Sequence, residues 1–454
     1  MQFVLSTFKI KIMSKLFSIK KSVPVNHVFP VSIPLLVLFR FPEIAFTVFL
    51  IPSKQAALIQ KLHLPPIINL TNLLFSFILA IIITIALKRQ KVPTIPKRLI
   101  LPYTGLVFLM LISLSYTSNL NYGMTKTIEF ITLTTLACFA PFFLFRSAIT
   151  FERFLKTFIV LGVLLSIIVL ATSPYSFKYY YTEISYAKFE TFVGSNYLAI
   201  QYILGIASLS ILYYFLLKNV SKKQTICLIL LLIFFCISFL YSPGKGPIVS
   251  FFFTIILMTI SSLRFKNKKI LINMKIVNYA FLIMAIGGLL MFSIGWVFIL
   301  RTKALFIPEY YGRVERLENA KIAFELFYNH PLSGIGIGGF GVFSAEIEGI
   351  KEKFIYPHNI LLEIISELGL FGLIFFIILI GFAFKQLFYL KNKYRCSNLF
   401  PLTNVVISLL IFSFLTSLFS GNINNQLLFA WIGTVYTLEQ MVKYEENKCK
   451  IQNQ

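Results

Sequence analysis

A single imidazole lies where a long polar segment of the chain meets an apolar run of membrane-spanning length. The residue is His358, in the stretch Tyr356-Pro357-His358-Asn359. The chain has four histidines and no aspartate, since all 17 of its acidic residues are glutamates. An imidazole titrates near neutral pH and can therefore accept a proton from a hydroxyl group. His358 is the best candidate for a general base; the alternative is a capping or interface residue at a helix start.

Two arginines in the same polar segment could bind a phosphate group. Arg313 and Arg316 open a predicted helix that runs to about residue 328. A guanidinium group pairs bidentately with phosphate oxygens. Surface ion pairs with Glu315 and Glu318 are the alternative for both side chains.

A third cation interrupts the apolar pattern further upstream. Lys245 lies in Ser242-Pro243-Gly244-Lys245-Gly246-Pro247, between two apolar runs. A cation at membrane depth is costly, so such residues are functional candidates. The same side chain could instead extend to the membrane surface.

Residues 334–341 contain the pattern G-x-G-x-x-G. A dinucleotide-binding fingerprint needs a preceding strand and a following helix within a βαβ unit. This segment follows a predicted helix, so the fingerprint is excluded. The other interpretation is a glycine-rich turn beside an active site, with Gly336 as the candidate, because backbone can approach a ligand closely at glycine.

Polar residues continue into the apolar run that follows His358. Asn359 is of a type that favours a helix N-terminus. Glu363 and Glu367 lie one turn apart on the same predicted helix. Glu363 could orient His358 or receive the hydroxyl of an acceptor. Alternatively, the two glutamates could form a satisfied polar pair within a helix bundle.

The composition is that of a membrane protein with many spans. Hydrophobic residues make up 57% of the 454 residues, and the mean hydropathy is +0.82; soluble domains contain about 45–50% apolar residues. We predict an all-α polytopic membrane protein with about 12 transmembrane helices. The predicted spans fall at 31–51, 67–87, 99–117, 127–145, 154–172, 196–217, 224–241, 246–263, 276–300, 359–388, 401–420 and 424–442.

Lysine and arginine concentrate in every second connector between these runs, as expected for cytoplasmic connectors. Both termini are therefore predicted to be cytoplasmic, and residues 301–358 form a large extracytoplasmic loop with short helices. We expect one integral membrane domain, made of an N-terminal bundle of about nine spans (1–300), this loop (301–358), and three C-terminal spans with a cytoplasmic tail (359–454). The net charge of +25 is thus a topology signal, and no nucleic-acid partner is predicted.

The cysteines indicate no metal site. The five cysteines include no CxxC pair and no Cys/His cluster, so neither a zinc site nor a disulfide framework is supported. We predict no metal and no cofactor. The basic N-terminus is followed by no small-residue cleavage site, which predicts an uncleaved first anchor.

The segment from Gly312 to Gly372 resembles the O-antigen ligase and O-antigen polymerase superfamily of bacterial envelope glycan assembly. The resemblance lies in Gly312-Arg313, His330-Pro331-Leu332-Ser333-Gly334-Ile335-Gly336, Pro357-His358-Asn359, Glu363 and Glu367-Leu368-Gly369-Leu370-Phe371-Gly372. Upstream, two further stretches are similar to family motifs: Gly194-Ser195-Asn196-Tyr197-Leu198-Ala199 and Lys245-Gly246. Two positions depart from the pattern. Leu317 stands where the family usually has tryptophan, and Lys245 lacks the bidentate fork of the usual arginine.

The resemblance implies a metal-independent glycosyltransferase whose donor is an undecaprenyl-diphosphate-linked glycan. His358 would be the base, and Arg313 and Lys245 would bind the donor pyrophosphate. Substrate contacts are implied for a further set of residues: Arg316, Asn196, Asn359, Glu363 and Gly336. The implied partners are a glycan or lipid A core acceptor, the lipid bilayer, and flippase and chain-length regulator proteins. The implied location is the bacterial inner membrane, with the active site on the extracytoplasmic side.

Three functions stay open at this point. We favour a polymerase that extends lipid-linked repeat units over a ligase that moves the finished glycan to its acceptor. A flippase or secondary transporter would predict repeat symmetry and paired charges near the membrane midplane. The sequence shows no internal repeat, and the intramembrane charges identified are Arg40, Glu43 and Glu129.

Overall fold

The computed structural model describes most of the chain, with gaps. The described residues are 41–50, 70–88, 93–182, 197–217, 220–241, 245–262, 264–266, 269–271, 274–288, 311–348, 356–393 and 400–452. Asn196 and the part of the first predicted span before residue 41 lie outside these ranges. At Lys245 and Arg313 the structure describes the helical backbone.

The regular secondary structure of the described residues is helical apart from one short hairpin. In chain order the helices are α1 (Pro42–Phe49), α2 (Leu70–Lys88), α3 (Lys97–Ser113), α4 (Leu120–Glu129), α5 (Thr135–Leu144), α6 (Ala148–Thr182), α7 (Tyr197–Leu216), α8 (Lys222–Tyr241), α9 (Lys245–Ser262), α10 (Met274–Gly288), α11 (Tyr311–Asn329), α12 (Phe340–Glu348), α13 (Ile360–Lys393), α14 (Phe400–Ser420) and α15 (Gln426–Gln452). A π-helical turn, Phe130–Thr134, joins α4 to α5.

The hairpin pairs β1 (Arg264–Lys266) with β2 (Lys269–Leu271) in antiparallel register, with Arg264 opposite Leu271. It lies in a connector that the charge pattern predicts to be cytoplasmic. The all-α prediction is therefore confirmed for the described residues, except at this hairpin. The helix predicted from residue 312 to about 328 is also confirmed, as α11.

In the part of the chain that the structure describes, six helical stretches are long and apolar enough to cross a membrane: Leu120–Leu144, Ala148–Ala171, Leu198–Leu216, Lys222–Phe239, Ile360–Lys393 and Phe400–Ser420. Three shorter apolar helices accompany them: Phe75–Ile85, Gly246–Ser261 and Met274–Gly288. These stretches fall on predicted spans. The count of twelve, and the extracytoplasmic placement of the large loop, stay predictions.

Small residues and aromatic rings bring the helices together. Lipid tails are as apolar as leucine, so helices in a membrane associate through close packing. A Cβ on Gly433 of α15 would collide with the backbone oxygen of Cys138 in α5. Trp431, fully buried on α15, packs on Phe154 and Phe158 of α6, with ring centroids 5.6 and 6.1 Å apart. α15 is thereby packed closely against both neighbours.

α13 is broken at Gly369, whose φ of 62° and ψ of −157° are not helical. The span predicted at 359–388 falls on the apolar stretch Ile360–Lys393, and the break at Gly369 is a feature that the sequence did not predict. The segment Ile360–Leu368 is consequently a short helix of its own, ahead of the longer apolar part of α13.

The break frees backbone groups that residues 331–336 satisfy. On one side, the carbonyls of Ser366 and Glu367 accept bonds from the amides of Ile335 and Gly336, both at 3.0 Å. On the other side, the amide of Leu370 donates to the carbonyl of Pro331 at 2.8 Å. An unpaired backbone group in an apolar environment is costly. The loop therefore makes the break tolerable.

Contacts between helix ends fall into two sets that agree with the charge alternation. Bonds on the side predicted to be extracytoplasmic join Tyr116 to Ser333, Thr117 to Ile337 and Asn424 to Lys126. Bonds on the opposite side join Lys391 to Ser261, Lys275 to Leu217 and Gln440 to Thr94. Each bond connects ends that the alternation places on the same face. Which face is extracytoplasmic stays a prediction.

We expect Gly369→Ala to destabilise the protein. A side chain there must adopt a left-handed conformation, which costs about 1–2 kcal/mol, and its Cβ would collide with the carbonyl of Leu332. We expect the free energy of unfolding in detergent to fall by about 2 kcal/mol or more. Gly381→Ala, on the same helix with no atom within 4 Å of the new Cβ, is the matched control and should be neutral or stabilising by up to about 1 kcal/mol. Equal losses for the two variants would contradict the structural role of the break.

Candidate active site

His358 has an unusual backbone conformation. Its φ is 56°, and it is the one non-glycine residue with positive φ among the residues that the structure describes. Such a conformation persists only where the surrounding structure enforces it, and residues of this kind cluster at functional sites. The half-buried side chain lies against Tyr356, with ring centroids 4.4 Å apart at 56°. The histidine is thus held between a buried proline on one side and a helix start on the other.

Asn359 is the N-cap of α13. Its Oδ1 accepts hydrogen bonds from the amides of Leu361 (2.9 Å) and Leu362 (3.3 Å). Its carbonyl accepts the first helical bond, from Glu363 at 3.0 Å. The predicted contribution of Asn359 to the helix N-terminus is confirmed. Oδ1 is engaged in the cap, which leaves the amide group of the side chain for any substrate contact.

Tyr356 links the histidine to the start of α9. Its hydroxyl donates to the carbonyl of Ser420, the last residue of α14, at 3.5 Å. A Cβ on Gly246 would lie 3.4 Å from Ser420 Oγ, so the first turn of α9 packs against the same residue. Lys245 is the first residue of that turn. The backbone at the start of α9, where Lys245 lies, and the segment that carries His358 therefore both lie beside Ser420.

Opposite charges act on the Tyr356 hydroxyl. Burial raises the pKa of Tyr356 to about 12, with a further upward contribution from the Glu363 carboxylate, whereas the Arg316 guanidinium lowers it. Arg316 is exposed on α11, one turn after Arg313 in the first turn of that helix. The helix carrying both arginines is thus within electrostatic range of the tyrosine that packs on His358.

Behind this segment lies a buried ionic cluster, the Lys126 cluster, formed by Lys126, Glu363 and Glu367. Lys126 Nζ lies 2.5 Å from Glu363 Oε1 and 2.6 Å from Glu367 Oε2. The three side chains are 4%, 1% and 0% exposed. Buried ions at this depth must be paired, because an uncompensated charge there is strongly destabilising.

The turn between α14 and α15 closes the cluster. The amide of Ile423 donates to Glu363 Oε2 at 2.6 Å. The side-chain amide of Asn424 donates to the main-chain oxygen of Lys126 and to Glu129 Oε2, both at 3.1 Å. Both oxygens of Glu363 are therefore engaged by the protein, which favours an orienting role over direct contact with an acceptor hydroxyl.

The sequence did not predict the role of Lys126. In the sequence, Lys126 is simply one of the few lysines in the connectors predicted to be extracytoplasmic. Its partner Glu367 is 241 residues away. Two signals pointed toward it: a pair of glutamates at the start of an apolar helix needs a cation, and this connector carries a single one. Nothing local specifies that these two features meet.

The glycine-rich segment packs against the bundle. The φ values of Gly334, Gly336 and Gly338 are 68°, 89° and 79°, and a Cβ on Gly336 would lie 2.6 Å from Thr117 Cα. Gly336 is buried, and its amide is bonded to Glu367. The segment follows α11 and precedes α12, in agreement with the exclusion of a dinucleotide fingerprint. The geometry favours a packing role for Gly336 over a contact with substrate.

Residues 191–377 match a family model described as O-antigen ligase. Over these residues, the resemblance to the ligase and polymerase superfamily is confirmed. A search of curated proteins gave no match. The apolar helices of membrane-spanning length indicate an integral membrane protein, and the similarity to the O-antigen ligase family covers residues 191–377. Every site residue predicted from the sequence lies in the matched segment, whereas Lys126 and Ile423 lie outside it.

Substitutions at Asn359 should separate capping from substrate binding. Asn359→Ala removes the cap and should lower the free energy of unfolding by about 1 kcal/mol, whereas Asn359→Ser keeps a capping oxygen and should remain within a few tenths of wild type. If the side-chain amide also contacts substrate, both variants will raise the KM for the donor. An alanine variant as stable as wild type would contradict the capping role.

Proposed function

We propose that this protein is a membrane glycosyltransferase that polymerises undecaprenyl-diphosphate-linked oligosaccharide repeat units. The products would be O-antigen, capsule or exopolysaccharide chains. The observation that carries the proposal is the family match over residues 191–377, because it contains all the residues to which we assign substrate or catalytic roles. The strained histidine within this segment supports a site at the start of α13.

The reaction is a transfer at the anomeric carbon of the donor glycan. His358 takes the proton of the acceptor hydroxyl, and the acceptor oxygen forms a bond to that carbon. The bond between the carbon and the pyrophosphate oxygen breaks, and undecaprenyl diphosphate leaves with its electron pair. Positive groups near the pyrophosphate stabilise the negative charge that develops on it.

Arg313 and Lys245 are the proposed pyrophosphate ligands. Support comes from their positions at the first turns of α11 and α9. Lys245 offers a single ammonium where a guanidinium would offer a fork, so its contact is a point charge. Arg316 and Asn196 are proposed as further substrate contacts, together with the amide group of Asn359.

The membrane arrangement follows from the same chemistry. The polyprenyl tail of the donor stays in the bilayer while its sugars lie on the extracytoplasmic side. The proposed active site opens on that side. Both termini are then cytoplasmic. A flippase that delivers the donor and a regulator of chain length are the proposed protein partners.

The close alternative is a ligase that transfers the finished glycan to lipid A core or another acceptor, since both reactions use the same donor chemistry. A flippase or transporter is the second alternative. It would need paired charges near the membrane midplane. The Lys126 cluster is such a pairing, but Glu363 lies in the first turn of α13, at the helix end and away from the middle. Its position favours a role at the outer surface.

The first test is the glycan banding pattern of a deletion strain complemented with wild type or His358→Ala at equal membrane level. For a polymerase, wild type restores a long ladder and the variant leaves acceptor carrying a single repeat. A ligase would instead leave long chains on undecaprenyl diphosphate and a bare final acceptor in the variant. A variant indistinguishable from wild type would remove His358 as the base.

The second test assigns the phosphate ligand. In purified enzyme, Arg313→Gln should raise the KM for the lipid-linked donor or lower kcat/KM by roughly 10- to 100-fold, since a hydrogen bond to a charged group contributes about 1.5–3 kcal/mol. Arg316→Gln, on the next turn of the same helix, is the matched comparison and should have a smaller effect. The reverse order would make Arg316 the main ligand.

A further inference from the structure

We propose that Lys126 is a positioning residue for His358, acting through Glu363 and Glu367. It would hold the segment Ile360–Leu368 against the neighbouring helix and turn, and thereby fix the histidine that precedes this segment. The inference rests on the proposed function, because it takes His358 to be the base. Lys126 itself lies outside the matched family segment.

The helical segment that follows His358 is too short to be stable by itself. Isolated helices shorter than about 12–15 residues are marginal in water, and this one is bounded by the Asn359 cap and the break at Gly369. Its order must come from tertiary contacts. At its C-terminal end, residues 335 and 336 bond to Ser366 and Glu367. From its first turn to its last, the ionic contacts of Glu363 and Glu367 to Lys126 perform this task.

Three distant parts of the chain meet at the cluster. The Lys126 side chain reaches both glutamates, and its main-chain oxygen accepts from Asn424. Glu363 in turn accepts from Ile423. The lysine and the glutamate are therefore bound to each other and to the same turn. This closed arrangement restricts both translation and rotation of the segment.

The histidine requires such restriction. A left-handed φ at a non-glycine residue relaxes unless the flanking structure enforces it, and the cap that follows His358 begins the held segment. Misplacement of a catalytic group by about 1 Å can cost about a hundredfold in rate. Loosening the segment should therefore affect turnover more than donor binding.

The experiment compares Lys126→Met, Lys126→Arg and the neutral triple variant Lys126→Met/Glu363→Gln/Glu367→Gln in purified full-length enzyme, with lipid-linked donor. For Lys126→Met we expect kcat to fall about a hundredfold and the donor KM to change less than about threefold. Lys126→Arg keeps the charge and should retain more activity. The triple variant leaves no uncompensated charge and keeps an acceptor for Ile423, so it should recover at least about tenfold of the lost kcat.

Arg153→Met is the matched control, because Arg153 forms the ion pair with buried Glu43 (3.4 Å) between α6 and α1. It should lower thermal stability without lowering kcat. Two results would overturn the proposal: a Lys126→Met enzyme with reduced thermal stability but wild-type kcat, or a triple variant that is as stable as wild type yet no more active than Lys126→Met. The latter would mean that the charges themselves take part in the reaction.

His358→Ala in the same assay keeps the two hypotheses apart. If wild-type enzyme transfers no glycan, or His358→Ala retains wild-type kcat, the proposed function or its base fails, whatever the Lys126 variants do. If His358→Ala is inactive and Lys126→Met keeps its kcat, only the positioning role fails. If Lys126→Met does not fold, the triple variant takes its place. Its kcat relative to wild type then decides whether Lys126 has the positioning role.

Discussion

Lipid offers no hydrogen bonds, so every backbone group at membrane depth must find its partner within the protein. α13 meets this constraint in an unusual way, because its backbone departs from helical geometry at Gly369. The groups freed there bond to residues 331–336 of the polar segment before it. These hydrogen bonds attach the polar segment to the bundle. The break at Gly369 makes Ile360–Leu368 a separate short helix. The environment of His358 depends on this helix, since the histidine stands directly before its cap.

Charge pairing sets the second constraint. Two glutamates on a short segment would repel each other and lose hydration if they were buried alone. Lys126 compensates them, and breaking such a pair by removing one partner typically costs about 3–5 kcal/mol. Pairing therefore specifies which parts of the chain meet: the start of the Leu120–Leu144 span, the segment after His358, and the turn at Ile423. Packing of small residues and rings, as at Gly433 and Trp431, completes the association along the membrane.

Local patterns predicted the local features and missed the remote ones. Helix α11, the Asn359 cap and the rejection of a dinucleotide fingerprint each follow from a few adjacent residues, and the structure agrees. The break at Gly369 was missed because a glycine within an apolar run is compatible with a continuous helix. It becomes necessary only when the bonds to residues 331–336 are known. Lys126 was missed for a related reason, since its partners lie far away in the sequence and no periodicity connects them.

Burial and pairing of the two carboxylates in the Lys126 cluster also reduce their repulsion of an anionic ligand. A pyrophosphate beside two exposed carboxylates would be repelled, and like charges at a binding surface oppose association. Burial removes Glu363 and Glu367 from direct contact with such a ligand, and the Lys126 ammonium offsets much of their field. Both the carboxylate and the arginine act on the Tyr356 hydroxyl, because Glu363 raises its pKa and Arg316 lowers it. In the site that we propose, the two carboxylates are thus buried in the Lys126 cluster, whereas Arg316 is exposed on α11.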